Sequence, residues 1–253
     1  MCRLLGILGG EALRKEWLDA FADLAVTGNA PGGPPDGRGH ADGWGLVLFR
    51  NGVLLESVHE ARSAAKDPQY ARVARKIVGA SAAVAPGKSC VVLGHVRRAS
   101  PGMPVGRGFC HPFVEVRDGQ AWAFAHNGGL DGYAYTEEEG LIDSQVVLRR
   151  VLSNLDGPSG DEVAEAARRT EAQLREEFPG YTALNFLLTD GVRLHAFRRC
   201  LRDEAYYTLY HGRVGRAVVV CSQPLPGTTA TAMENGTVVT VGPNLAVQVT
   251  RVA

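Results

Sequence analysis

Short apolar runs joined through tight-turn dipeptides recur along most of this 253-residue chain, and they limit its fold more than any other feature. Residues 45–49 and 53–58 flank Arg50-Asn51-Gly52, and residues 113–116 and 121–125 flank Asp118-Gly119. Asn-Gly and Asp-Gly accept the positive φ angles of a two-residue hairpin turn, so each pair reads as an antiparallel hairpin. Residues 2–8, 89–96, 183–189, 193–197, 206–210, 217–221, 237–241 and 246–252 read as further strands. Helical spacing interrupts them. Leu13, Trp17, Ala20, Phe21 and Leu24 share one face over residues 11–25, and residues 67–84 and 141–155 are helical in pattern. Ser159-Gly160-Asp161-Glu162 has the form of a capping box, followed by the core face Val163, Ala166, Ala167, Thr170, Leu174 and Phe178 and ended by Pro179-Gly180. Residues 29–43, dense in Gly, Pro and Asp, and 224–235 read as loops. Helices lying between blocks of hairpins predict a layered α+β domain of antiparallel sheets, not a doubly wound parallel sheet. No repeat or linker divides residues 1–253, so a single domain is expected.

Composition narrows the classes of function. Lys plus Arg and Asp plus Glu both number 27, which argues against a broad polyanion-binding face and against nucleic acid as a partner. The apolar runs fall short of the ~20 residues of a membrane helix, so no membrane association is expected. The five cysteines (Cys2, Cys90, Cys110, Cys200 and Cys221) are odd in number, dispersed and free of any C-x-x-C pair. That is the usage of a reducing compartment, and the first ten residues make a poor secretory signal. The expected location is cytoplasmic.

Four sites carry candidate chemistry. Removal of Met1 would place a free α-amine on the same residue as the Cys2 thiol. Amine and thiol titrate near ~8 and ~8.5, so one can deprotonate the other near neutrality. The competing reading of Cys2 is a small buried hydrophobe at a strand start. Arg97 and Arg98 end the strand run Gly94-His95-Val96-Arg97-Arg98, where a planar guanidinium suits a substrate carboxylate or, more simply, gives the strand a solvated basic end. Asn127-Gly128, within Ala125-His126-Asn127-Gly128-Gly129, offers an amide and a backbone N–H suited to an oxyanion; taken alone it reads as a turn. Asp143 stands at a helix start, placed to bind an ammonium or to cap the helix.

Taken together these segments resemble a family. Met1-Cys2, the stretch His40-Ala41-Asp42-Gly43-Trp44-Gly45, Gly94 to Ser100, His111-Pro112, His126-Asn127-Gly128 and Asp143-Ser144 occur in the order and spacing of the class II glutamine amidotransferases, which are N-terminal-nucleophile hydrolases. The likeness runs from Met1 to about Leu155. Asn185 to Gly191 and Val220 to Leu225 resemble the second half of the stand-alone members. The arginine motif of the biosynthetic members continues with Trp, where this chain has Arg98, and their Arg-Gly-x-Asp segment is replaced by residues 40–45. Both departures point to the stand-alone branch, which includes a γ-glutamyl hydrolase of ergothioneine biosynthesis.

The resemblance implies the four-layer αββα sandwich of the Ntn-hydrolase fold. It implies Cys2 as nucleophile with its freed amine as base, Asn127 and the Gly128 N–H as oxyanion donors, Arg97 on the α-carboxylate and Asp143 on the α-ammonium of a small-molecule γ-glutamyl substrate. Arg98 and Trp44 are the candidates for the leaving-group side. No cofactor and no metal are expected. The liberated ammonia either passes to a separate accepting subunit or is simply released. Three rivals stand beside this reading: an inactive scaffold subunit of the same fold, a metal-dependent hydrolase drawing on His40, Asp42, His95, His111 and His126, and a related amidase acting on a non-glutamyl amide.

Overall fold

A computed structural model describes residues 2–9, 13–29, 39–82 and 90–252. Thirteen strands and four α-helices are present among them: β1 (Cys2–Gly9), α1 (Lys15–Thr27), β2 (Gly43–Arg50), β3 (Val53–Glu60), α2 (Pro68–Ala82), β4 (Cys90–Arg97), β5 (Phe113–Arg117), β6 (Gln120–Leu130), α3 (Asp143–Asn154), α4 (Gly160–Glu177), β7 (Tyr181–Thr189), β8 (Leu194–Arg198), β9 (Tyr210–Val214), β10 (Ala217–Cys221), β11 (Thr231–Ala232), β12 (Thr237–Val241) and β13 (Val247–Arg251). Both expected hairpin turns form where the sequence places them. Asn51 and Gly52 have φ of 52° and 81°, and Asp118 and Gly119 have 51° and 77°. The capping box of α4 is also formed: Glu162 N–H donates to Ser159 Oγ, and Ser159 N–H donates to Glu162 Oε2.

The strands make two antiparallel sheets, ordered β11-β9-β10-β1-β4-β2-β3 and β13-β12-β8-β7-β6-β5. Strand alternation divides the core into three layers. Leu5, Ile7, Leu46, Leu48 and Val92 face α1 and α2 with Trp17 and Phe21. Leu4, Leu8, Val47, Phe49, Val91, Leu93, Ala125 and Leu187 pack sheet against sheet. Phe124, Phe186 and Phe197 face α3 and α4, against Leu148, Val163 and Leu174. The result is the αββα sandwich.

Three expectations change. Residues 206–210 do not form a strand: β9 begins at Tyr210, because Tyr206 and Tyr207 sit in a turn whose N–H groups both donate to the Asp203 carbonyl. Asn127-Gly128 is not a turn. It continues β6, pairing with Asn185 and Leu184 of β7, with a bulge before Leu130. The loop at 224–235 contains β11, paired with β9. Residues 30–38 of the expected 29–43 loop, and residues 11, 12, 83, 84 and 89 at the edges of other expected elements, lie outside the described residues.

Candidate active site

The site is built by register at the end of two central strands. Cys2 of β1 lies directly opposite Arg97 of β4. Directly opposed residues of an antiparallel pair project to the same side, so thiol and guanidinium share a face. Cys2 belongs to the same alternation as Leu4 and Leu8, which point between the sheets. Asn127 of β6 belongs to that of Ala123 and Ala125, which point inward from the other sheet. The two meet across the interface, where Cys2 N–H donates to Asn127 Oδ1 at 2.9 Å.

That bond fixes the carboxamide. With Oδ1 engaged, the Asn127 Nδ2 group is left buried and without a partner. The neighbouring Asn185 is the contrast: its Nδ2 donates to the Tyr207 carbonyl and its Oδ1 accepts from Arg199 N–H. A buried amide donor without a partner is costly, and the packing around Asn127 supplies none. Gly128 follows at the same strand end, and a Cβ there would lie 1.7 Å from the Ala183 carbonyl oxygen. Only glycine lets β6 approach β7 this closely.

Arg97 is 3% exposed, and its Nη1 is buried without a hydrogen-bond partner. Asp143 opens α3 from a position 8% exposed, with Oδ1 accepting from Ser144 N–H at 2.8 Å. No ion pair to either side chain forms among the described residues. Cys2, Arg97, Arg98, Gly128 and Asp143 line one small cavity of about 20 Å³. It adjoins a larger one of about 540 Å³, lined by Ser100, Met103, Gly128, Asp143, Tyr133 and Tyr207. The Cys2 Sγ lies 3.9 Å from the Arg98 carbonyl oxygen.

Trp44 corrects an expectation. It is fully buried in the layer between the first sheet and α1 and α2, edge-on to Tyr70 at 5.1 Å, with Nε1 donating to Asp67 Oδ2 at 3.0 Å. Its cross-strand partner is Val96, one residue from Arg97 and therefore on the opposite face. Trp44 does not line the cavity of Cys2.

Two further residues support the site: Asp42, raised by the sequence only as a metal ligand, and Tyr206, which the sequence reading missed. Asp42 ties down the segment after Arg97: its N–H donates to the Arg97 carbonyl, and its Oδ2 accepts from Ala99 N–H at 2.9 Å. Tyr206 donates its hydroxyl to the Cys2 carbonyl at 3.1 Å. Asp42 lay inside a quoted motif, but nothing local marks a tyrosine 204 residues away. Of the histidines proposed as metal ligands, His40, His95 and His126 each have a hydrogen-bond partner, and His111 has none. His40 lies 3.2 Å from both the Leu24 carbonyl and the Tyr206 hydroxyl, and His126 Nδ1 lies 2.9 Å from Ser144 Oγ. Among the described residues no three His, Cys, Asp or Glu groups converge as a metal site would require. Burial lowers the His40 pKa to about 3, and it lowers those of His95, His111 and His126 as well.

Comparison with known proteins gives this geometry a lineage. Residues 1–217 match the family described as glutamine amidotransferases class-II. The chain belongs to the class II glutamine amidotransferases. It is 29% identical over 206 residues to the putative glutamine amidotransferase YafJ of Escherichia coli, covering 78% of this chain and 72% of that protein. It is 30% identical over 200 residues to the γ-glutamyl-hercynylcysteine sulfoxide hydrolase of Mycobacterium tuberculosis, covering 78% and 76%. Among solved structures it is similar to a glutamine aminotransferase class-II domain protein from Silicibacter pomeroyi, with a TM-score of 0.63, 20% identity and 99% of both chains covered. It also overlays a glutamine phosphoribosylpyrophosphate amidotransferase from B. subtilis, with a TM-score of 0.59 and 17% identity, over 99% of this chain but 49% of the other. The chain thus spans about half the length of that enzyme. These two likenesses bear on the fold, which is the Ntn-hydrolase sandwich. No helix among the described residues is long and apolar enough to cross a membrane.

Proposed function

We propose that this chain is an amidohydrolase of γ-glutamyl amides, with Cys2 as an N-terminal nucleophile. The observation that carries the reading is the Asn127 carboxamide, whose oxygen is held by the nitrogen of the thiol-bearing Cys2 and whose Nδ2 is buried without a partner. Donors waiting for a charge that exists only in the transition state are what an acyl-transfer site requires. The head-group side is consistent. An unpaired Arg97 guanidinium and a buried Asp143 carboxylate bring opposite charges to one cavity, as an α-amino acid requires. The hydrolase similarity to the mycobacterial protein supports the same reading.

With Met1 removed, the Cys2 nitrogen is a free amine and takes the thiol proton. The thiolate attacks the γ-carbonyl carbon, and the oxyanion forms against Asn127 Nδ2 and the Gly128 N–H. The C–N bond breaks as the ammonium passes its proton to the leaving nitrogen, which departs as ammonia or an amine. A water molecule, deprotonated by the same amine, then attacks the thioester, the C–S bond breaks, and glutamate is released. Arg97 holds the α-carboxylate and Asp143 the α-ammonium, while Arg98 borders the leaving-group side.

Burial pushes the thiols of Cys90 and Cys110 up to about 11 and that of Cys221 up to about 12, and it raises that of Cys200, leaving these four poor nucleophiles. The test is mass spectrometry of the active protein, intact and after acid quench during turnover of glutamine or a γ-glutamyl peptide. A mature N-terminus at Cys2 and a γ-glutamyl adduct on the Cys2 peptide are expected. Full activity with Met1 retained would overturn the mechanism.

A further inference from the structure

The residue after the nucleophile points the other way. Strand alternation turns Arg3 to the reverse face of β1, where it lines a separate cavity of about 500 Å³ together with Tyr206, Tyr210, Ser222 and Gln223. We propose that this cavity is a second binding site, which takes a small carboxylate- or phosphate-bearing anion on the Arg3 guanidinium. The inference does not rest on the reaction proposed for Cys2.

Comparison of the buried arginines carries the argument. Among the described residues three arginines are almost fully buried: Arg3, Arg97 and Arg198. Arg97 faces the catalytic cavity. Arg198 is neutralised within the fold by Glu204, 3.1 Å away. Arg3 has neither arrangement. It is 3% exposed, and its partners carry no net charge: Nη1 donates to the Tyr206 carbonyl at 3.2 Å, Nη2 donates to the Asn29 carbonyl at 2.5 Å, and the guanidinium lies 4.3 Å over the Tyr206 ring. No carboxylate pairs with it among the described residues. Its Nε is buried without a partner. A buried cation with no counter-ion among the described residues destabilises the fold, and an anion entering the cavity would offset that loss. Guanidinium matches carboxylate and phosphate through its fork of parallel donors, which defines the ligand class. The 500 Å³ cavity has room for a small molecule carrying such a group, not merely for a lone ion.

The site is also wired to the nucleophile. Tyr206 accepts from Arg3 through its carbonyl and donates through its hydroxyl to the Cys2 carbonyl. An anion that moves the Arg3 guanidinium therefore acts on the strand end that positions Cys2 through a single residue.

Calorimetric titration of the full chain with inorganic phosphate and, separately, with malonate tests the proposal, alongside thermal unfolding in the presence of each. Saturable binding and a raised Tm are expected for at least one, and the stronger of the two identifies the ligand as a phosphate or a carboxylate compound. Arg97→Ala should keep this binding, which separates it from the catalytic cavity. Arg3→Gln should weaken it about thirtyfold or more. Because Arg3→Gln also loosens Tyr206, a second variant is needed: Gln223→Glu places a carboxylate on the cavity wall and should abolish anion binding while raising the Tm. Absence of saturable binding of either probe to the wild-type chain would overturn the proposal. So would binding that disappears in Arg97→Ala and persists in Gln223→Glu.

Discussion

The backbone nitrogen of Cys2 and the carboxamide oxygen of Asn127 lie 2.9 Å apart, one from each sheet. This single bond engages the amide oxygen and leaves Nδ2 buried without a partner. Asn127→Ala is therefore expected to lower kcat by about 10²–10³ with little change in KM, because the lost donor acts on charge that develops only in the transition state. Steady-state kinetics with a γ-glutamyl amide check it; an effect confined to KM would assign Asn127 to ground-state binding instead.

Cys2→Ala should abolish turnover while leaving the circular dichroism spectrum and unfolding midpoint close to wild type. Cys2 sits at a strand end and loses only its sulfur in this change. Serine at Cys90, Cys110 or Cys221 should retain activity in whatever fraction folds, since burial holds these thiols protonated. An inactive, folded Cys110→Ser beside an active Cys2→Ala would reassign the nucleophile.

Arg97→Lys keeps the charge but loses the two-pronged fork, and Arg97→Ala leaves a substrate carboxylate unpaired in a desolvated cavity. The alanine variant should lose roughly 2–5 kcal/mol of kcat/KM, most of it through KM, and the lysine variant should recover only part of this. The loss should hold for glutamine and γ-glutamyl peptides alike. Equal kcat/KM in wild type and Arg97→Ala would remove the α-carboxylate from its assigned place.

Trp44→Phe separates packing from chemistry. It deletes the Nε1 donor to Asp67 Oδ2 and leaves that buried carboxylate oxygen short of a partner. Stability should fall by about 1–3 kcal/mol in urea titrations, with kcat/KM unchanged in the folded protein. A changed substrate preference would contradict the placement of Trp44 behind the sheet.

Stability should fall as the pH drops below about 6.5. Burial lowers the pKa of His40 to about 3 and depresses those of His95, His111, His126 and His195. Each is neutral when folded and takes up a proton on unfolding once the pH is below its unfolded value of about 6.5, so the unfolded state binds more protons there. Each contributes a slope approaching ~1.4 kcal/mol per pH unit, until the pH reaches its folded pKa. Urea midpoints at about pH 7.5, 6.5 and 5.5 should decrease in that order. His195→Gln, which can keep a hydrogen bond to Thr240, should flatten the slope by about one proton. A flat profile from pH 7.5 to 5.5 would show that these rings are not buried neutral.

Local signals were legible where local physics decides. Asn51-Gly52 and Asp118-Gly119 dictate their hairpins through the positive φ that those residues tolerate, and Ser159 with Glu162 starts α4 through hydrogen bonds spanning three residues. The catalytic candidates Cys2, Arg97, Asn127 and Asp143 were legible only jointly, by order and spacing, since each alone has an ordinary structural explanation. Register places Arg97 opposite Cys2, and sheet stacking brings Asn127 against Cys2.

What the sequence by itself determined is most of the elements, their antiparallel character and the place of Cys2 in a strand at the start of the chain. Tertiary structure alone decided which face each strand residue presents. A period of two shows that neighbours point oppositely, yet not which set meets the other sheet and which meets the helices. Trp44 suits either layer, so its place was settled only by pairing β2 beside β4, which puts it with Val96 behind the sheet while Arg97 turns to the cavity. The same alternation sends Cys2 to one cavity and Arg3 to another. Tyr206, which touches both, is brought there from 204 residues away by packing that no short-range pattern records.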